Sequence, residues 1–182
     1  KNDIWYDKEL CVAGDEFIEF LKSSQKETYD TLQKKYGDNT DKNILKRLNK
    51  EIDNKGLIQV LRKGFNDVHG GNIKTLYFQP SSSLNVNYIA DKYLKNKFLL
   101  VRQLYYSPHS NKSIDIVIFI NGIPILTIEL KNQLTGQTVE NSDKQYRFDR
   151  NPKGEPLLKF QRCICHYSVD NDKINMTTKL EG

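Results

Sequence analysis

Residues 113 to 131 read Ser-Ile-Asp-Ile-Val-Ile-Phe-Ile-Asn-Gly-Ile-Pro-Ile-Leu-Thr-Ile-Glu-Leu-Lys, two apolar β-strands around an Asn-Gly turn. Three charges interrupt the run: Asp115, Glu129 and Lys131. A buried strand has no packing reason to carry a lone carboxylate or a Glu-x-Lys pair, and an unpaired buried charge costs several kcal/mol. These charges therefore need a partner. The simplest partner that two carboxylates can share is a divalent metal ion.

Register decides whether they can share one. Side chains on a strand alternate between faces, so Glu129 and Lys131 point one way and Leu130 the other. A two-residue turn at Asn121-Gly122 with regular pairing sets Asp115 opposite Ile128 and leaves Glu129 on the wrong face. A three-residue loop (Asn121, Gly122, Ile123), or one bulge, sets Asp115 opposite Glu129. Gly122 can supply a left-handed residue for such a loop, and Pro124, lacking an N–H, suits a bulge or an edge. The expectation is an irregular hairpin that brings Asp115, Glu129 and Lys131 onto one face.

Two carboxylates and a lysine in that arrangement suit metal-assisted phosphodiester hydrolysis. Mg²⁺ keeps several waters and is held by one or two carboxylates plus phosphate oxygens. It activates water and stabilises charge on the scissile phosphate. A lysine beside it can orient or deprotonate the water, or neutralise developing charge. The plainer reading is a surface hairpin whose Glu and Lys face solvent, with Lys as an edge gatekeeper. For Glu129 and Lys131 alone that reading is the better one; Asp115 inside Ile-Asp-Ile-Val-Ile-Phe-Ile shifts the balance to a site.

An Asp, an apolar hairpin and then Glu-x-Lys resembles the PD-(D/E)xK nuclease superfamily. The flanking residues are more specific. Val101-Arg102-Gln103-Leu104-Tyr105-Tyr106-Ser107-Pro108, Ser113-Ile114-Asp115-Ile116-Val117, Ile128-Glu129-Leu130-Lys131-Asn132 and Leu134-Thr135-Gly136-Gln137-Thr138-Val139-Glu140 resemble the type I restriction enzyme R subunit. Gln145-Tyr146-Arg147-Phe148-Asp149-Arg150-Asn151-Pro152 and Met176-Thr177-Thr178-Lys179-Leu180 extend the match over essentially the whole chain. The resemblance implies the N-terminal endonuclease domain of that subunit, in the cytoplasm of a prokaryote. It implies Mg²⁺ as cofactor, with Asp115, Glu129 and Lys131 at the catalytic positions and Asp115 and Glu129 as metal ligands. It implies a helicase-like motor downstream, through which alone ATP is used. The implied partners are double-stranded DNA, cut far from the recognition site, and the methyltransferase and specificity subunits. Such nucleases often carry Gln-x-x-x-Tyr on the helix after the last catalytic strand. Here Gln145 is followed directly by Tyr146 and position 149 is Asp, so that spacing is not matched. An upstream helix in the family often supplies a further acid. Glu9, Glu16 and Glu19 are available, but none is assigned, and each reads equally as helix-surface charge.

Composition fits. The 182 residues suffice for one well-packed core. The expected organisation is a single nuclease domain, 1–182, with a mainly helical part (1–64) and an α/β core (65–182). Lys and Arg number 28 against 23 Asp and Glu, a net +5, mildly basic and compatible with DNA contact. No apolar run approaches a membrane span, and no signal peptide is visible. Three cysteines argue against a disulfide scaffold. Cys163, Cys165 and His166 lack structural-zinc spacing and read as part of a buried strand, the thiols as core residues. There is no Gly-x4-Gly-Lys-Ser/Thr phosphate loop, zinc finger or helix-turn-helix signature, so this chain is not expected to bind ATP or to read DNA sequence by itself.

Along the chain, residues 14 to 63 are helical in pattern, with Phe17, Leu21, Ile44, Leu48, Ile52 and Leu57 near helical spacing. Gly37-Asp-Asn-Thr-Asp41 breaks the zone, Thr40 or Asp41 is the expected N-cap, and Gly56 and Gly64 the helix ends. These helices are expected to pack on the sheet rather than hold a neighbouring motor. Expected strands are Ile73 to Phe78, Phe98 to Tyr106, Ile114 to Ile120, Ile125 to Leu130, and two near 163 to 169 and 173 to 178, with a turn at Asp170-Asn-Asp172. Helices are expected at Val86 to Lys95 and at 138 to 148. The fold class is α/β: a restriction-endonuclease-like mixed sheet flanked by helices, with an N-terminal helical region. Gln145, Tyr146 and Arg147 are candidate DNA contacts, Lys144 and Arg150 weaker ones. One of Arg102 and Gln103 faces the site. His109 sits in a turn and is a poor base.

Three functions compete. The leading one is a Mg²⁺-dependent, sequence-nonspecific DNA endonuclease domain. The second is a non-catalytic docking module joining the motor subunit to the methyltransferase core. The third is a structure-specific resolvase or repair nuclease. The intact Asp115–Glu129–Lys131 set argues against the second, and the long match outside the motif against the third.

Overall fold

The structure is a computed structural model that describes residues 5–80, 86–131 and 154–180. The helical pattern of the first third resolves into α1 (Gly14–Ser24), α2 (Lys26–Tyr36), a single 3₁₀ turn at Gly37–Asn39, α3 (Thr40–Lys55) and α4 (Leu57–Lys63). Each buries one stripe: Phe17, Ile18 and Leu21 in α1, Tyr29 and Leu32 in α2, Ile44, Leu48 and Ile52 in α3, Leu57, Val60 and Leu61 in α4. Gly56 and Gly64 end α3 and α4 with φ of 77° and 73°, as the sequence predicts. The N-cap differs. Asn39 precedes α3, and Thr40 is already helical, its Oγ1 donating back to Gly37 O at 2.6 Å.

The expected strand at Ile73 to Phe78 does not form. Only β1 (Phe65–Asp67) and β2 (Gly71–Ile73) pair, as a small antiparallel ribbon. Beyond Ile73 side chains take over the backbone's hydrogen bonds. Lys74 N donates to Gln25 Oε1 and Gln25 Nε2 to Lys74 O, both at 2.8 Å. Asn96 does the same for Tyr77, accepting from its N at 3.2 Å and donating to its O at 2.6 Å. β-propensity without a neighbouring strand does not make a sheet.

After α5 (Val86–Tyr93) comes the main sheet: β3 (Phe98–Tyr105), β4 (Ser113–Ile120), β5 (Ile123–Leu130), β6 (Cys165–Val169) and β7 (Ile174–Thr177). They lie side by side in chain order. Every neighbour pair is antiparallel except β5 and β6, which run parallel. The result is a mixed α/β architecture with an N-terminal helical region, consistent with a nuclease-like fold. The turn between β6 and β7 falls where expected, closed by Asp170 Oδ1 accepting from Asp172 N and Lys173 N, both at 2.8 Å. The helix expected at 138 to 148 lies outside the described residues.

The β4–β5 hairpin is held at its tip by the helical region. Asn121 and Gly122 both have positive φ (49° and 77°), the two-residue turn whose twist matches a hairpin. Gly122 O accepts from Ala13 N at 2.8 Å. A Cβ on Gly122 would lie 2.4 Å from Ala13 O and 2.8 Å from Phe17 N, so only glycine lets α1 approach this closely. Asn121 is fully buried and threads the turn into its surroundings. It accepts from Lys97 N at 2.8 Å and donates to Thr75 O at 2.9 Å. Ile120, Ile123 and Ile125 join the core of α1–α4. Val117 and Phe119 join a second apolar cluster with Val101, Leu157, Leu158 and Cys163.

Candidate active site

The hairpin turns out tight but irregular. Ile120 pairs with Ile123 and Phe119 with Pro124, then the register shifts and Ile118 pairs with Leu126. Ile125 is the extra residue, a β-bulge beside the proline that cannot donate to the ladder. Of the two ways to align Asp115 with Glu129, the chain uses the bulge and not the three-residue loop. The shifted register runs to Ile116 opposite Ile128, so the next step outward is Asp115 and Glu129.

At that step the carboxylate replaces the backbone as ladder partner. Asp115 Oδ2 accepts from Leu130 N at 2.8 Å. Leu130 N belongs to the peptide directly after Glu129, and Lys131 is the next residue. One hydrogen bond thus draws Asp115 to the segment that carries both other candidates. Its Oδ1 accepts from Gln103 Nε2 at 2.6 Å. Glu129 is 2 % exposed, Lys131 and Asp115 are half-buried, and Leu130 faces out on the opposite side. Lys131 N donates to Val169 O at 2.8 Å, which carries the parallel β5–β6 pairing to the end of the motif.

The polar character continues across the sheet. Glu129 pairs with Ser168, and Thr127 with His166; Ser168 pairs in turn with Asn175 of β7. Thr127 Oγ1 and His166 Nδ1 are 2.7 Å apart in a fully enclosed hydrogen bond. Burial holds the imidazole down to a pKa of about 4, so it is neutral at physiological pH. Cys163 and Cys165 are buried free thiols, the core residues expected, and burial raises the Cys163 thiol far above its ordinary range.

Other candidates are resolved by their contacts. Glu16 and Glu19 both bind Lys97, at 2.8 and 3.5 Å. Hydrogen bonding to Glu16 raises the lysine's pKa. Glu9 is exposed near the start of the described chain. His109 lies in a turn whose N–H groups at 109 and 110 donate to Ser107 Oγ. Of Arg102 and Gln103, it is Gln103 that reaches the site. Gln145, Tyr146, Arg147, Lys144 and Arg150 lie outside the described residues.

The donors present fit a hard cation. Two carboxylates from adjacent strands supply oxygen ligands of the kind Mg²⁺ takes, with coordination left for water and phosphate. Among the described residues there is no group of three or more His, Cys, Asp or Glu placed to enclose a metal, as a zinc site would need. No helix among them is long and apolar enough to cross a membrane.

Fold and site together define an α/β protein with a two-carboxylate, one-lysine hairpin. The chain matches the family model described as type I restriction enzyme R protein N terminus (HSDR_N) over residues 15–182. It belongs to that family, and so represents the N-terminal region of the R subunit of a type I restriction enzyme. No curated protein and no solved structure matches the chain in the corresponding comparisons.

Proposed function

We propose that this chain is the Mg²⁺-dependent endonuclease domain of its R subunit, cutting the phosphodiester bonds of double-stranded DNA without sequence preference of its own. The carrying observation is the Asp115–Leu130 hydrogen bond, which gathers Asp115, Glu129 and Lys131 at one end of a buried hairpin. Family membership supports a DNA substrate and a restriction complex as the setting.

Asp115 and Glu129 would hold the metal. When bound, the metal supplies a lowered pKa for a coordinated water and positive charge at the scissile phosphate. Asp115 is fixed through both oxygens, so its remaining lone pairs have a defined direction. Glu129, seated deep in the sheet, offers its carboxylate where water is scarce and electrostatic attraction is strong. Lys131, with three N–H donors and no acceptor, donates to a phosphate oxygen or to the attacking water and offsets charge as it develops. Gln145, Tyr146 and Arg147 are proposed as further contacts to the DNA. The methyltransferase and specificity subunits would choose the sequence, and a downstream motor would use ATP and bring distant DNA to the site.

The test is calorimetric titration of Mg²⁺ or Mn²⁺ into the wild-type chain and Asp115→Ala, each with and without a DNA duplex. Heat of binding should appear in the wild type and vanish in the variant. In the assembled enzyme Asp115→Ala should abolish cleavage while motor ATP hydrolysis continues. Loss of both activities would instead assign Asp115 to folding or docking.

A further inference from the structure

We propose that Gln103 is a positioning residue for the metal site, holding the Asp115 carboxylate in its ligating orientation from a strained backbone. The inference rests on the reading of Asp115 as a metal ligand. Gln103 has φ of +52°, one of four non-glycine residues with positive φ among those described. A left-handed residue inside a strand is costly and persists only where its surroundings over-determine it. β3 pairs with β4 at Arg102–Ile116 and again at Leu104–Ile114. The step between them, where Gln103 faces Asp115, is missing from the ladder. The left-handed turn of the backbone removes the main-chain pairing at that step, and the side chain supplies the contact instead.

Both ends of the Gln103 amide are fixed. Nε2 donates to Asp115 Oδ1 at 2.6 Å, and Oε1 accepts from Ser113 Oγ at 2.9 Å. Ser113 therefore sets which end of the amide meets the carboxylate. Together with Leu130 N on Oδ2, each Asp115 oxygen has one neutral donor. Neutral donors fix the carboxylate plane without cancelling its charge. An arginine or lysine at position 103 would do the first and spoil the second by competing with the cation. Partners of this kind typically change metal affinity about 10- to 100-fold when removed.

The experiment is calorimetric titration of Mn²⁺ into the full chain in the presence of a short DNA duplex, for wild type, Gln103→Met and Ser113→Ala. Methionine keeps nearly the volume of glutamine and lacks the N–H donor. Metal affinity should fall about 10- to 100-fold in Gln103→Met and by a smaller factor in Ser113→Ala, with thermal midpoints close to wild type. In the assembled enzyme, Gln103→Met should raise the Mg²⁺ concentration needed for half-maximal cleavage while leaving the rate at saturating Mg²⁺ largely restored. A side chain that only fills space would leave that split unmoved. Wild-type affinity in Gln103→Met overturns the proposal. If Gln103→Met does not fold, unchanged affinity in Ser113→Ala overturns it. No binding by the wild-type chain overturns the metal-site reading itself, and the inference falls with it.

Discussion

Lys131 is anchored by its main chain, through the N–H that donates to Val169 O, so truncating its side chain removes the ammonium and leaves the strand paired. Lys131→Ala should leave metal affinity at the wild-type value and lower the cleavage rate about 100- to 1000-fold, the usual cost of losing one donor to developing charge. Calorimetry and single-turnover cleavage of the same variant check both halves; full cleavage would remove Lys131 from the chemistry. Asp115 is the candidate most legible at this scale, because a carboxylate inside Ile-Asp-Ile-Val-Ile-Phe-Ile has no apolar reason to be there; Glu129 and Lys131 gain weight only beside it. Gln103 was only half legible. Period-two alternation narrowed the choice to one of two residues. The contact itself depends on a left-handed φ that glutamine does not advertise, since neither glycine nor asparagine marks the position. The Thr127–His166 pair was not legible at all, because its members lie 39 positions apart and no local signal in either segment sets how β5 and β6 align.

At the scale of the hairpin, the turn and the bulge were readable from local chemistry: Asn-Gly for positive φ, and Pro124 for a missing donor. What the residues left open was which device corrects the register; the chain uses the bulge at Ile125. Gly122 lies against Ala13 and Phe17, where a Cβ would meet backbone atoms at 2.4 and 2.8 Å. Gly122→Ala should therefore destabilise the chain by at least about 1–3 kcal/mol from backbone strain alone, read as a lower midpoint in urea; a midpoint equal to wild type would show that neither the positive φ nor the contact with α1 constrains the tip. The β5–β6 pair carries a pH dependence. His166 titrates near 4 in the folded chain against an ordinary value of 6.5. Between those values the unfolded chain takes up a proton that the folded chain refuses. Stability from this group is thus fully present above pH 6.5 and declines as pH falls towards 4, by up to about 3 kcal/mol. Urea melts across that window should show a shallower slope in His166→Asn, and an unchanged slope would assign the acid sensitivity to other groups. The misread strand after Ile73 fails for the converse reason: Thr75-Leu-Tyr-Phe has strand propensity, but Gln25 and Asn96 claim the backbone groups that a neighbouring strand would need.

For the whole molecule, the question is whether the helical third and the sheet stand or fall together. The apolar cluster formed by α1–α4 includes Ile120, Ile123 and Ile125 from the hairpin, with Ile118 and Leu126 packed against it. Arg162, 4 % exposed, ties the same two regions from the other side: its guanidinium donates to Leu10 O and lies 3.5 Å from Asp53 of α3. Leu57 N donates to Gln161 O at 2.9 Å, a further backbone link between the start of α4 and the approach to β6. With core and polar contacts both crossing the boundary at residue 64, the chain is expected to unfold as one cooperative unit. Leu48 tests this. It sits in α3, fully enclosed, on a helix that contributes none of the candidate site residues. Leu48→Ala should cost about 2–5 kcal/mol, and that loss should appear equally in the hydrogen-exchange protection of amides in α3 and of amides in β4 and β5. If the helical amides lose protection while those of the hairpin keep theirs, the two regions are separate units and the site does not depend on the helices for its stability. Equal losses would mean that the bulge, the Asp115–Leu130 bond and the orientation of the carboxylates are sustained by packing far from any ligand. In that case substitutions throughout residues 14 to 63 would lower the stability of the hairpin without touching it.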